Sequence, residues 1–246
     1  MPTSAFAEIP GGWFTMGTER GQEDERPPHR VFVDSFDLAV FPVTRAEYER
    51  FVNATGHDVP KDWGYQPFSQ LDLPVVGVSW FDAVDYCVWR SAEEERPVRL
   101  PTEAEWECAA RGRQTALFPW GDVMPEWIPN GGRGPLEAPW PVTIGEPTDF
   151  GLFGIGTNIH EWCADWYDIN YYNRSPERNP AGPETGVRRA SRGGAWRHAY
   201  TKCRVTLRSK LDPSFRYNDY GFRVARGSEV TRPDETDDSA PPAVSG

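Results

Sequence analysis

The apolar positions of the chain follow two periods in turn. Near the start they gather in short runs, Phe6–Ile9, Trp13–Met16, His29–Val33 and Phe36–Val40, bounded by glycine, proline and charged residues. This pattern predicts short strands joined by turns. The stretch Thr18–Pro28 is charged and carries Gly21 and two prolines, which predicts a surface loop. The period then becomes helical. Thr44 with Glu47 forms a capping box ahead of Tyr48, Phe51 and Val52 on one face. Ser79 caps a second helix running to about Ala92, with Val84, Cys87 and Val88 inward. Thr102 and Glu105 open a third, with Trp106 and Ala109 inward and Gly112 suited to a left-handed end. Cys87 and Cys108 fall on apolar helix faces, as core thiols do. From Phe118 to Gly151 neither period holds. That segment reads as a long ordered loop pinned by Trp120, Trp127 and Trp140. Strand-like runs return at Ser191–Trp196, Lys202–Arg208 and Tyr220–Ala225. Residues 227–246 hold almost nothing apolar and are expected to form a disordered acidic tail, which leaves one domain over residues 1–226.

Composition refines this picture. Hydrophobic residues make up only 38% and the mean hydropathy is −0.63, yet there are 11 Trp, 13 Phe and 9 Tyr. The expected core is therefore aromatic, with indole and phenol groups finding polar partners. With 23 Gly and 24 Pro the chain should hold many turns and little regular structure. A net charge of −11 argues against a nucleic-acid partner, which needs a basic face. No run approaches the ~18 apolar residues of a membrane span, so no membrane association is expected. The start, MPTSAFAEIPGGW, lacks the basic and apolar regions of a secretory signal, and the expected compartment is cytoplasmic. The four cysteines show no Cys-x-x-Cys spacing and read as buried thiols.

Several segments then occur in a telling order. Ile9-Pro10-Gly11-Gly12 leads to Phe14-Thr15-Met16-Gly17, followed by Phe41-Pro42-Val43-Thr44 and Pro74-Val75-Val76-Gly77-Val78-Ser79-Trp80. Next come Arg99-Leu100-Pro101-Thr102-Glu103-Ala104-Glu105-Trp106-Glu107 and Phe118-Pro119-Trp120-Gly121. Asn158-Ile159-His160-Glu161-Trp162, Arg192-Gly193-Gly194-Ala195-Trp196 and Tyr220-Gly221-Phe222-Arg223 complete the set. The set resembles the sulfatase-modifying factor family, whose founding members are formylglycine-generating enzymes, over about Ala5 to Arg226. The resemblance implies an α+β, C-type-lectin-like fold with little regular secondary structure. Arg99, Arg192 and Arg223 are expected to bridge buried carbonyls and carboxylates, and Gly193-Gly194 to allow close backbone approach.

The resemblance also implies a site and exposes a departure. The family's enzymes use copper and oxygen to convert a client's cysteine to formylglycine, with two thiolates holding copper(I). Counted from Gly194, the first of those cysteines corresponds to His198 and the second to Cys203, while Ala195 stands for a serine and His160 for a tryptophan. Counted back from Arg208, the loop is about three residues shorter than in the enzymes. A dithiolate copper site cannot form from these residues. His160, His198 and Cys203 are expected to approach one another as the candidate catalytic group, either around a transition metal other than copper(I) or as hydrogen-bonded space fillers. A structural calcium is implied at the carbonyls of Gly154, Thr157 and Ile159 with the Glu161 carboxylate. The alternative for Glu161 is pairing with a buried arginine. Two functions follow: an oxidoreductase with an altered site acting on a protein or small thiol, or a non-catalytic module binding a peptide or partner. Trp127, Trp140, Tyr171, Tyr172 and Tyr217 are the aromatic groove candidates for the second.

Overall fold

The computed structural model describes residues 5–113, 116–129 and 137–227; most of the expected acidic tail, residues 228–246, lies outside them. Strands β1 (Phe6–Ile9), β2 (Gly12–Met16), β3 (His29–Val33) and β4 (Phe36–Ala39) open the chain. Helices α1 (Arg45–Thr55) and α2 (Trp80–Glu94), strand β5 (Val98–Arg99) and helix α3 (Glu103–Arg111) follow. The C-terminal half adds β6 (His160–Trp166), β7 (Arg189–Arg192), β8 (Arg208–Leu211), β9 (Tyr220–Gly221) and β10 (Ala225–Arg226). Two four-stranded sheets, ordered β1-β4-β10-β5 and β8-β7-β6-β9, and the β2-β3 hairpin make a mixed α+β fold with few regular elements.

All three helices start where their side chains satisfy the free N–H groups of the first turn. Thr44, Ser79 and Thr102 each accept from the third helical residue, and Glu47, Asp82 and Glu105 reach back to close the box. Along α2 the inward face is Ala83, Tyr86, Cys87 and Arg90, whereas Val88 is 66% exposed. Arg90, inward in its place, pairs with Glu47 and Glu94.

The core is aromatic, and three of its indoles reach across it to acceptors. Trp106 Nε1 donates to Glu161 Oε2 at 2.7 Å, Trp162 Nε1 to the Val78 carbonyl at 3.0 Å and Trp80 Nε1 to the Cys163 carbonyl at 2.8 Å. Buried arginines tie the layers together. Arg192 reaches Glu103 and Glu107 and the carbonyls of Val205 and Leu207. Arg208 holds Glu103 through two bonds, and Arg99 grips Glu105 in a fork of 2.7 Å contacts.

Three expectations change. The segment Thr18–Pro28 does not lie wholly on the surface: Asp24 and Glu25 are buried, and Glu25 takes bonds from Arg204 and Thr206. Residues 202–207 form no strand: β7 ends at Arg192, Gly193 with a φ of 83° turns the chain away, and β8 begins only at Arg208. Strand β6, unannounced by any alternation, lies inside its sheet with its first four residues all buried.

Candidate functional site

Strand β6 and the segment after β7 build one wall together. The Gly194 N–H donates to the Gly156 carbonyl at 3.0 Å and the Trp196 N–H to the Asn158 carbonyl at 2.8 Å. A Cβ on Gly194 would stand 2.8 Å from Cys203 Sγ and 2.7 Å from the Lys202 carbonyl oxygen, so only glycine lets these strands close. Beyond this seam lies a pocket of about 300 Å³ lined by Trp120, Ile128, Pro129, Trp140, Thr157, Ala195, Trp196, His198, Tyr200 and Cys203. Two open clefts adjoin it. One, through Trp120 and Thr157, is flanked by Glu146 and Asp149; the other, through Trp120 and Tyr200, by Asp122 and Arg204.

His160 and His198 meet, with ring centroids 5.1 Å apart. The third group beside them is Asp219: ligand atoms of His160, His198 and Asp219 all lie within 4.8 Å of one another. Asp219 arrives because β9 runs parallel to β6, so that the His160 N–H donates to the Asp219 carbonyl at 2.9 Å. Burial pushes the His160 imidazole down to about 4 against the pull of Asp219. His198, with 36% of its side chain exposed, is lowered as well, again mainly by burial. Cys203 shares the pocket wall with His198, but it is not part of this cluster. Its thiol is buried and pushed up to about 12 by desolvation alone, so it stays protonated near neutral pH.

The set implied for calcium is put to another use. Glu161 Oε2 accepts from Arg223 Nε and Trp106 Nε1, both at 2.7 Å, and Oε1 accepts from an Arg223 terminal nitrogen at 2.9 Å. Arg223 and Glu161 are fully buried. The Gly154 carbonyl already accepts from the Thr157 N–H, the Thr157 hydroxyl and the Asn158 N–H. A hard cation at Gly154, Thr157, Ile159 and Glu161 would find its one carboxylate neutralised, so these residues do not fit calcium as folded. Of the two roles open to Glu161, the structure displays the arginine pair.

Among the aromatic groove candidates, Trp140 lines the pocket and Trp127 an adjoining cleft. Tyr171 and Tyr172 belong to the core, and Tyr217 stands exposed on another loop. One feature of the pocket concerns its indoles. Trp120, Trp140 and Trp196 all line it, and each indole N–H is buried with no protein partner. Sequence reasoning missed Asp219 and Trp196 as site residues. The signal for Asp219 was its place directly before Tyr220-Gly221-Phe222-Arg223.

A family model described as "Sulfatase-modifying factor enzyme 1-like domain" matches residues 2–228. The chain is 33% identical to serine/threonine-protein kinase pkn1 of Chlamydia caviae over 92% of its own length, but it spans only 39% of that kinase. It is 31% identical to the formylglycine-generating enzyme of Bos taurus, over 91% of this chain and 75% of that protein. The solved structure of PvdO from Pseudomonas aeruginosa superposes with a TM-score of 0.76 at 27% identity, covering 90% of this chain and 93% of the other. The fold, the ordered motifs and these likenesses agree, and the chain belongs to the sulfatase-modifying factor (formylglycine-generating-enzyme-like) family.

Proposed function

We propose that the pocket binds an extended segment of a client polypeptide and acts on the side chain it admits, without copper–dithiolate oxidation. The observation that carries this reading is the trio of unpartnered indole donors. The indoles of Trp80, Trp106 and Trp162, by contrast, each find a protein acceptor. Three buried donors around one pocket each cost about 1–3 kcal/mol until something accepts from them. The carbonyls of an extended peptide are acceptors at regular spacing. The adjoining clefts supply room on either side for the residues that flank the admitted side chain. The polar side chains on the pocket wall that such a side chain meets are the His198 imidazole, with His160 and Asp219 behind it, and the protonated thiol of Cys203. The reaction is therefore different from thiol oxidation on two thiolates. An altered oxidoreductase chemistry on a protein thiol is the reading we adopt.

The test uses a fluorescein-labelled, cysteine-containing sulfatase peptide. Anisotropy should report saturable binding, weakened about three- to tenfold in Trp196→Phe, which keeps the ring and removes the donor. Mass spectrometry after incubation with copper and air should show no formylglycine. Absence of binding, or Cys203-dependent conversion at enzyme-like rates, contradicts the proposal. A second reading, binding without chemistry, is favoured by the inert state of Cys203. It stands if the bound peptide emerges chemically unchanged under every metal condition.

A further inference from the structure

Behind His198, at the edge of the pocket, lies a geometry that peptide binding does not explain. The side chains of His160, His198 and Asp219 come from three separate segments and crowd together with no hydrogen bond between them. His198 Nε2 stands 3.9 Å from Asp219 Oδ2, beyond hydrogen-bond length. His160 Nδ1 and His198 Nδ1 are buried with no protein partner. Arg197 lies 3.7 Å from Asp219 and gives its short bond, 2.7 Å, to Asn218 instead. Asp219 thus keeps an oxygen facing the imidazoles and no bidentate arginine to neutralise it. Two imidazoles and a carboxylate, each offering one ligand atom within 4.8 Å of the others, are arranged as groups are around a shared cation.

Two of the three are held firmly. The backbone bond from His160 to the Asp219 carbonyl fixes their separation, and the His160 ring packs on Tyr220 at 4.7 Å between centroids. His198 is the half-exposed member and follows the turn at Gly193. Metal bonds of about 2.1 Å set neighbouring ligand atoms roughly 3 Å apart. Starting within 4.8 Å, the cluster closes by a side-chain turn of His198 rather than a backbone movement. Because His198 also lines the pocket, an ion held here would sit beside the bound segment. We infer that His160, His198 and Asp219 form a three-ligand site for a divalent first-row ion, Fe²⁺ or Zn²⁺. Two imidazoles and one carboxylate are the donors those ions take with open positions remaining, and copper(I) would want the thiolates this site lacks. The inference deepens the pocket reading by naming the centre that would act on the client.

The experiment measures metal alone, with no peptide present. Purified full-length wild type, His198→Ala, Asp219→Asn and Cys203→Ser are stripped with chelator. They are then titrated calorimetrically with Zn²⁺ and, without oxygen, with Fe²⁺, and Co²⁺ is added to read its visible bands. Wild type and Cys203→Ser should bind about one equivalent, while His198→Ala and Asp219→Asn bind at least tenfold more weakly and lose the Co²⁺ bands. His198 and Asp219 are chosen because neither is a core apolar residue, and unchanged circular dichroism confirms that both variants are folded. No stoichiometric binding by wild type, or equal binding by the two variants, overturns the site. Peptide anisotropy on metal-free protein is a separate reading, so failure of the metal site and failure of the peptide pocket are distinguishable.

Discussion

At the scale of single residues, neighbours decide what a side chain can do. Glu161 has the carboxylate of a cation ligand, yet Arg223 and Trp106 occupy it. Glu161→Gln should cost about 3–5 kcal/mol, because it strands a buried guanidinium. Millimolar calcium should leave the wild-type melting temperature unmoved, since the Glu161 carboxylate is already taken by Arg223 and Trp106. Denaturant titration of both proteins with and without calcium checks the two statements. Cys203 follows the same logic. A thiol at about 12 is thiolate to roughly one part in ten thousand at pH 8. Native protein should resist iodoacetamide at Cys203 for hours and react there only on unfolding, as peptide mapping would show. Asp165 is a third case. Burial, with Glu103 beside it, raises its carboxyl to about 8. The folded state therefore holds a proton that the unfolded chain releases from about pH 4 upward. The stability this contributes is complete below pH 4 and lost as pH rises to 8. Asp165→Asn should be more stable than wild type at pH 8 by more than at pH 5, measured by urea midpoints; an equal difference at both pH values contradicts this.

The helices and strands were legible to different degrees. All three helix starts could be read, because a capping box is a local device whose two residues stand three apart. Thr102→Ala tests how much that device contributes, with an expected loss of about 1 kcal/mol in stability. The hairpin and β4 could be read from their alternating, half-buried faces. Strand β6 could not, since an interior strand covered on both faces shows no alternation. Val88 was misplaced because apolar spacing alone cannot show that Arg90, neutralised by Glu47 and Glu94, takes the inward position. The buried acids of Thr18–Pro28 were hidden for a similar reason: Glu25 is compensated by Arg204, 179 residues away. Half of the histidine cluster was visible through the family resemblance, whereas Asp219 depends on β9 pairing beside β6, a relation that sequence order does not display.

At the scale of the molecule, the family scaffold persists while the residues that line its pocket differ from the enzymes' cysteine pair. An interior arginine–carboxylate lattice holds the walls, and three unpartnered indole donors line the pocket. The net charge of −11, with Glu146 and Asp149 beside an adjoining cleft, favours basic flanks on a bound segment. Peptides flanked by lysine or arginine should bind more tightly than acidic ones at low salt, and the gap should narrow as ionic strength rises. Equal affinity at every salt concentration would remove charge from the account. An ion bound beside the pocket would be held by the imidazoles of His160 and His198 and the carboxylate of Asp219, with no thiolate. X-ray absorption at the zinc edge of the loaded protein reads those ligands. The expected spectrum has nitrogen and oxygen neighbours at about 2.0–2.1 Å and the outer-shell scattering of two imidazoles. A sulfur scatterer at about 2.3 Å would contradict it.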